Sequence, residues 1–355
     1  MSRNALKKNW LVMGLVGSVF VSMAAEGIAQ DTITLKRRGR RGSKILGEIT
    51  EVSRTSIKLK TGDGTKSISV NEVQRISLNG EPSGLRQART AVLAGQYEQA
   101  ITALDGLRVR GNLGGLIRQE IGYYRAIAEA LLALQGNGDL VEAKTRLNDH
   151  MRNDPQTFHF FEAVEVLGDL SKAVGDYDDT AKYYTLIGKA PWPDYELRGQ
   201  VLLGNALRSQ AQWKSAILEF DKALSANAAD PASIRQQSLA RIGKSACQAE
   251  LGEASQAISD LQDVIAKHDT QDGELFAQAY LALGAAHAKL DQPMDAVLAY
   301  LHVDLLFYKQ RSAHAEALFH LAELWPVLEQ PSRGIESRRM LQARYGGSVW
   351  AKKSK

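Results

Sequence analysis

Leu203-Gly204-Asn205-Ala206-Leu207-Arg208-Ser209-Gln210-Ala211-Gln212-Trp213-Lys214-Ser215-Ala216-Ile217-Leu218-Glu219-Phe220 decides the reading of this 355-residue chain. Its apolar and small residues recur at spacings of three and four, which is the signature of one face of a helix. The pattern breaks once, at Ala211-Gln212, and resumes with a bulky Trp213. A helix, a tight turn and a second helix are therefore expected.

The second half of this stretch recurs elsewhere. Its order is a turn residue, one spacer, a bulky or turn-compatible residue, two spacers and a small residue. Further instances begin at Gly95, Gly138, Gly175, Gly252 and Asp291, with a weaker one at Glu329. The small residues then fall at 100, 143, 180, 216, 257, 296 and 334, at intervals of 36 to 43 residues. A period of this size means stacked supersecondary units, none of which can bury its apolar face alone. Leu167-Gly168 and Leu283-Gly284 stand seven residues before their turn positions, as Leu203-Gly204 does. Leu104, Leu147, Tyr184, Phe220, Leu261 and Tyr300 each follow the small residue by four. Pro155, Pro191 and Pro231 mark joints where a helix must stop.

The pattern resembles the tetratricopeptide repeat. The resemblance implies a mainly α fold: an α-solenoid of about seven helical hairpins over residues 83–345, closed by a basic tail at 346–355. Repeats three, four and six match best. Arg338 in the seventh stands where an apolar residue is expected, as in a terminal cap with a wet outer face. In such arrays the first helix of each hairpin lines a concave groove. Carried onto this sequence, the groove positions are Glu162, Glu165, Asp169 and Lys172 in repeat three, and Arg198, Val201, Asn205 and Arg208 in repeat four. An acidic band beside a basic one is expected there. In repeat six the same stripe is Gln278, Leu281, Ala285 and Ala288, which suits apolar contacts. Asn205 falls where carboxylate-clamp members of the family place an asparagine. Glu165 stands where that clamp wants a lysine, which argues against a C-terminal carboxylate as ligand.

Ahead of the array the period changes to two, over Ile45–Val52, Ser56–Lys60 and Ser67–Val70. Thr61-Gly62-Asp63-Gly64-Thr65 is a hairpin signal between two of these strands. One tight turn at 71–73 precedes a last strand over Gln74–Leu78. Four or five short strands over 31–80 resemble a small SH3-like or Sm-like barrel. Residues 30–84 hold 11 basic against 6 acidic side chains, so this head is basic on a mildly acidic body. Lys36, Arg37, Arg38, Arg40 and Arg41 form its basic surface. Three readings compete for them: a solvated loop, contact with an anionic envelope polymer or membrane surface, and nucleic acid. No Phe, Tyr or Trp occurs between 31 and 80, so bases have nothing to stack on, which argues against nucleic acid.

At the N-terminus Arg3, Lys7 and Lys8 precede an uncharged run from Trp10 to Ala25, and Gly27-Ile28-Ala29 supplies small residues for cleavage. That order reads as a secretory signal peptide over 1–29. The run is short for a membrane span, although an uncleaved signal anchor is the competing reading. The body of the protein is therefore expected outside the cytoplasm, periplasmic or secreted. Cys247 is the single cysteine, so no intramolecular disulfide is available; in its apolar helical setting it reads as a small buried hydrophobe.

No catalytic constellation stands out. Gly243-Lys244-Ser245 lacks the glycine a phosphate loop needs five residues earlier, since position 238 is serine. None of the seven histidines has a carboxylate at zinc-ligand spacing, and His287 falls at a packing position. No cofactor and no metal are expected, and no enzyme. The expected function is a cell-envelope scaffold or adaptor that binds a protein or peptide partner through the array, with the basic β-domain docking a second component. The alternatives are an envelope polymer-binding module and an accessory subunit of an envelope enzyme.

Overall fold

A computed structural model describes residues 30–36, 43–107, 114–268 and 271–354. The expected signal segment and Arg37, Arg38, Arg40 and Arg41 lie outside the described residues. Five strands come first: β1 (Asp31–Leu35), β2 (Lys44–Val52), β3 (Ser56–Thr61), β4 (Gly64–Ser69) and β5 (Val73–Ser77). They form one antiparallel sheet in the order β4-β3-β2-β1-β5. The turn at 71–73 is a 3-10 turn at Val70–Glu72. Strand β2 is shared: its first half pairs with β1 and its second half with β3, with a bulge between Ile49 and Glu51. Alternation along the strands buries Ile33, Ile57, Leu59, Ile68 and Ile76 on one face.

Seven helical hairpins follow among the described residues. They are α1 (Ser83–Leu93) with α2 (Tyr97–Asp105), α3 (Gly115–Leu134) with α4 (Leu140–Asn153), and α5 (Phe160–Val174) with α6 (Tyr177–Ile187). Next come α7 (Pro193–Ser209) with α8 (Trp213–Ser225), α9 (Pro231–Glu250) with α10 (Ala254–Lys267), and α11 (Gly273–Lys289) with α12 (Pro293–Leu306). The last pair is α13 (Arg311–Val327) with α14 (Pro331–Tyr345). A short α15 (Val349–Lys353) begins from a Ser348 N-cap and buries Ala351 against the final pair, so part of the segment read as a tail is packed helix. The chain is thus a mainly α, tetratricopeptide-like solenoid behind a small antiparallel sheet.

Local chemistry explains the boundaries. Asp139, Asp176, Asp230 and Asp272 cap helix N-termini through their carboxylates. Pro193, Pro231, Pro293 and Pro331 occupy the first turn, where a missing N–H costs nothing. The first residue of the repeated phrase is the left-handed residue of the turn: φ is +72° at Gly95, +83° at Gly175, +97° at Gly252, and still +57°, +54° and +59° at Ala211, Asp291 and Glu329. Repeat two is the exception. There the positive φ falls on Gly136, two residues before the expected Gly138, because a longer turn precedes the Asp139 cap.

Within the regular hairpins an aromatic ring fills the space a glycine leaves. A Cβ on Gly204 would stand 2.6 Å from the Phe220 ring, and one on Gly243 in the next hairpin 2.3 Å from it. Gly168 with Tyr184 and Gly284 with Tyr300 repeat the contact. His287 departs from its expected core position: it is half-buried, and Nδ1 sits 2.7 Å from Gln292 Oε1 at the turn. Cys247 is buried, and burial pushes its thiol up to about 11.

Candidate binding groove

The inner wall is built from the first helix of each hairpin, and it bends round on itself. A Cβ on Gly136, in the turn after α3, would lie 2.1 Å from the Gly347 carbonyl oxygen, in the turn after α14. These two turns, far apart in sequence, touch backbone to backbone. Tyr97 at the start of α2 is within electrostatic reach of Arg311 at the start of α13. Across the interior Arg208 on α7 senses Glu316 on α13, and Glu165 on α5 senses Glu274 on α11.

The acidic stripe of α5 and the basic stripe of α7 lie on neighbouring helices and partly neutralise each other. Glu165 and Arg198 face each other across α5 and α7 at 2.7 Å. Burial disfavours the charge on Arg198, but Glu165 outweighs it and holds the guanidinium above its ordinary range. Asp169 accepts from Lys172 at 3.1 Å and from the Tyr184 hydroxyl at 2.6 Å. The Glu162 side chain stays 60% exposed, with His159 Nδ1 at 3.5 Å. Asn205 is half-buried and Arg208 exposed, and no carboxylate lies within ion-pair distance of Arg208 among the described residues. The stripe of repeat six, with Gln278, Leu281 and Ala285 half-buried, is largely apolar. Of the basic surface, Lys36 reaches this wall: burial and then Arg198 lower its pKa, while Asp194 and Glu162 raise it.

Sequence reasoning missed a buried ionic chain at the N-terminal end. Arg89 of α1 donates to both oxygens of Glu81 at 3.1 and 3.0 Å and to Glu120 of α3 at 3.3 Å. Glu120 Oε1 meets His159 Nε2 at 2.9 Å, and the His159 ring stacks on Tyr123 with centroids 3.6 Å apart. Glu81 also accepts from the Leu78 N–H at the end of the sheet. Arg89, Glu81, Glu120 and His159 are all buried. With His159 protonated the four groups sum to zero, so burial, which alone would lower its pKa, is outweighed by Glu120 and then Glu162, and it rises to about 9. A signal was present: Arg89 falls on the same helical face as Leu85, Ala88 and Val92, where a charge must find a partner.

Among the described residues no group of His, Cys, Asp and Glu is placed to hold a metal ion. No helix there is long and apolar enough to cross a membrane. No family model matches the sequence, and no curated protein matches it. Solved structures do. A Rap protein complexed with competence and sporulation factor aligns with TM-score 0.52 at 10% identity, covering 76% of this chain and 78% of that one. A tetratricopeptide repeat protein from Parabacteroides merdae aligns with TM-score 0.49 at 13% identity, covering 76% and 97%. PilW, a type IV pilus biogenesis factor, aligns with TM-score 0.40 at 18% identity, covering 68% and 99%. At 10% identity the first likeness is one of fold.

Proposed function

We propose that this chain is an exported, non-catalytic scaffold of the cell envelope that holds a partner protein or peptide on the inner wall of its array. The observation that carries the reading is the division of labour along that wall. Glu165 pairs with Arg198 and Asp169 with Lys172, whereas among the described residues Arg208 and Asn205 keep free polar groups beside the apolar stripe of repeat six. A surface with a few unspent charges beside apolar positions suits an extended segment or a helix laid along the array. The small sheet, read as a curled SH3-like unit, docks a second component.

The chain without residues 1–29, used as bait in an envelope extract and followed by mass spectrometry, should recover one or a few envelope proteins. Recovery of none above background would overturn the scaffold reading. Arg208→Glu is the sharper groove test, because Arg198→Glu also breaks the bridge to Glu165. Partner capture should fall at least tenfold; capture that survives moves the site elsewhere. Fractionation of cells carrying a C-terminal epitope tag tests export directly, and a signal in the cytosol alone would refute it.

A further inference from the structure

The junction between sheet and array leaves part of a strand edge unpaired. Strand β2 spans Lys44–Val52, but β1 pairs with it only up to the Asp31↔Gly47 rung. The Asp31 carboxylate takes one further donor, the Ile49 N–H at 2.9 Å, and with its other oxygen the Asn79 N–H at 2.8 Å. Past that point β2 is paired on its β3 side alone among the described residues. The open edge faces the first turns of α3 and the loop before α5 across a cavity of about 300 Å³, lined by Thr50, Val52, Leu116, Gln119, Asp154 and Phe158 among others. The size is at the lower end of ligand pockets, about 300 Å³ upward.

The wall chemistry selects the occupant. Among the described residues no lysine, arginine or histidine lines the cavity, and Glu51, Glu120 and Asp154 do. Glu51 is bridged by Lys58 at 2.7 Å, and Glu120 is shared by Arg89 and His159. Asp154 accepts from the Thr157 hydroxyl and senses His150 and His159, but no cation lies within ion-pair distance of it among the described residues. Arg54 of the sheet is committed elsewhere: it donates to the Pro155 carbonyl and lies 3.9 Å above the Phe160 ring. An open strand edge wants backbone partners, and a part-buried carboxylate wants a cation.

We propose that this cleft is a strand-addition site: an extended segment of a partner polypeptide pairs with β2 at residues 50–52 and lodges a lysine or arginine side chain against Asp154. The site rests on the reading that the sheet docks a second component. It does not use the inner wall, so Arg208→Glu leaves it untouched and the two readings fail separately.

The probe is a fluorescein-labelled Thr-Val-Arg-Val-Thr peptide, with a second peptide carrying glutamine in place of arginine. Binding to the full chain is read by fluorescence anisotropy, and amide hydrogen exchange is followed at residues 50–52. The arginine peptide should bind and slow exchange there, and the glutamine peptide should bind at least tenfold more weakly. Asp154→Asn should weaken the arginine peptide about tenfold. Gln119→Arg, at an exposed helix position that folding tolerates, should block it by supplying the cation internally. Equal binding of the two peptides, no binding at all, unchanged exchange at 50–52, or indifference to both variants would each overturn the site. So would amides 50–52 that are protected in the free full chain but not in a chain starting at Gln30, because the edge would then be covered by residues of the chain itself.

Discussion

The two halves of the array close their interiors by different means. From α7 to α13 the core is mostly aliphatic, with rings set against glycines: Phe220 lies between Gly204 and Gly243, and Tyr300 against Gly284, while a buried His314 joins Asp304 to Tyr345 at the far end. From the sheet to α6 the core is continuous, running from Ile33 and Ile76 through Leu85 and Ile127 to Tyr184, but it encloses the Arg89, Glu81, Glu120 and His159 chain. The difference follows from what each half must join. Similar hairpins stack by a repeated shape rule, so contact and volume do most of the joining. A sheet docked on a solenoid meets no repeat, and the buried charges specify one arrangement by having no alternative partners. Dispersion tolerates small misfits, whereas a buried ion pair that loses one member does not recover.

That contrast can be broken at its charged end first. Arg89→Ala strands Glu81 and Glu120 in the core and should cost about 3–5 kcal/mol in chemical denaturation, against under about 1 kcal/mol for Arg198→Ala at the half-exposed groove bridge. A loss of the same size at both sites would erase the difference between the two ends.

The pH dependence comes next. His159 titrates near 9 in the folded chain and near 6.5 when unfolded, so the folded state holds its proton more tightly. Its contribution is fully present below about pH 6.5 and drains away as pH rises through 9, by at most about 3 kcal/mol at about 1.4 kcal/mol per pH unit. Urea midpoints at pH 6.5 and 9.5 read it, and His159→Phe should flatten the curve. His320, in the other half, behaves oppositely. Packed on Tyr300 with centroids 4.8 Å apart, it is pushed down to about 4 by burial and then by Lys353, so stability falls as pH drops from 6.5 toward 4.

The packed end is tested by Gly204→Val, whose added carbons collide with the Phe220 ring and should cost about 1–3 kcal/mol. Pairing it with Phe220→Leu should recover part of that loss, since residues in contact are energetically coupled. Smaller and of opposite sign is Glu329→Gly: it relieves a non-glycine residue at φ +59° and should stabilise the last turn by about 1 kcal/mol. Arg208→Glu, at an exposed position with no ion-pair partner among the described residues, should change the unfolding free energy by no more than about 0.5 kcal/mol while changing partner capture.

What could be read along the chain was what repeats or alternates along it. Period-two residues located β2 to β4, the tight turn announced β5, and the recurring phrase placed six of seven turns on a left-handed residue. It slipped only at Gly138, where a longer turn moved that role to Gly136. The candidate groove residues read as a stripe, because spacing of three and four puts Glu162, Glu165 and Asp169 on one helix face whatever lies opposite. What lies opposite was not legible. The pairing of Glu165 with Arg198, the meeting of Gly136 with Gly347, the arrival of Lys36 at the inner wall and the open edge of β2 all join residues far apart in sequence. Backbone periodicity is a property of neighbours in the chain, so the sequence by itself determined hairpins, turns and faces. Which charges are spent and which stay free depends on how tightly the hairpins curl and where the sheet docks, and only the tertiary structure decided that.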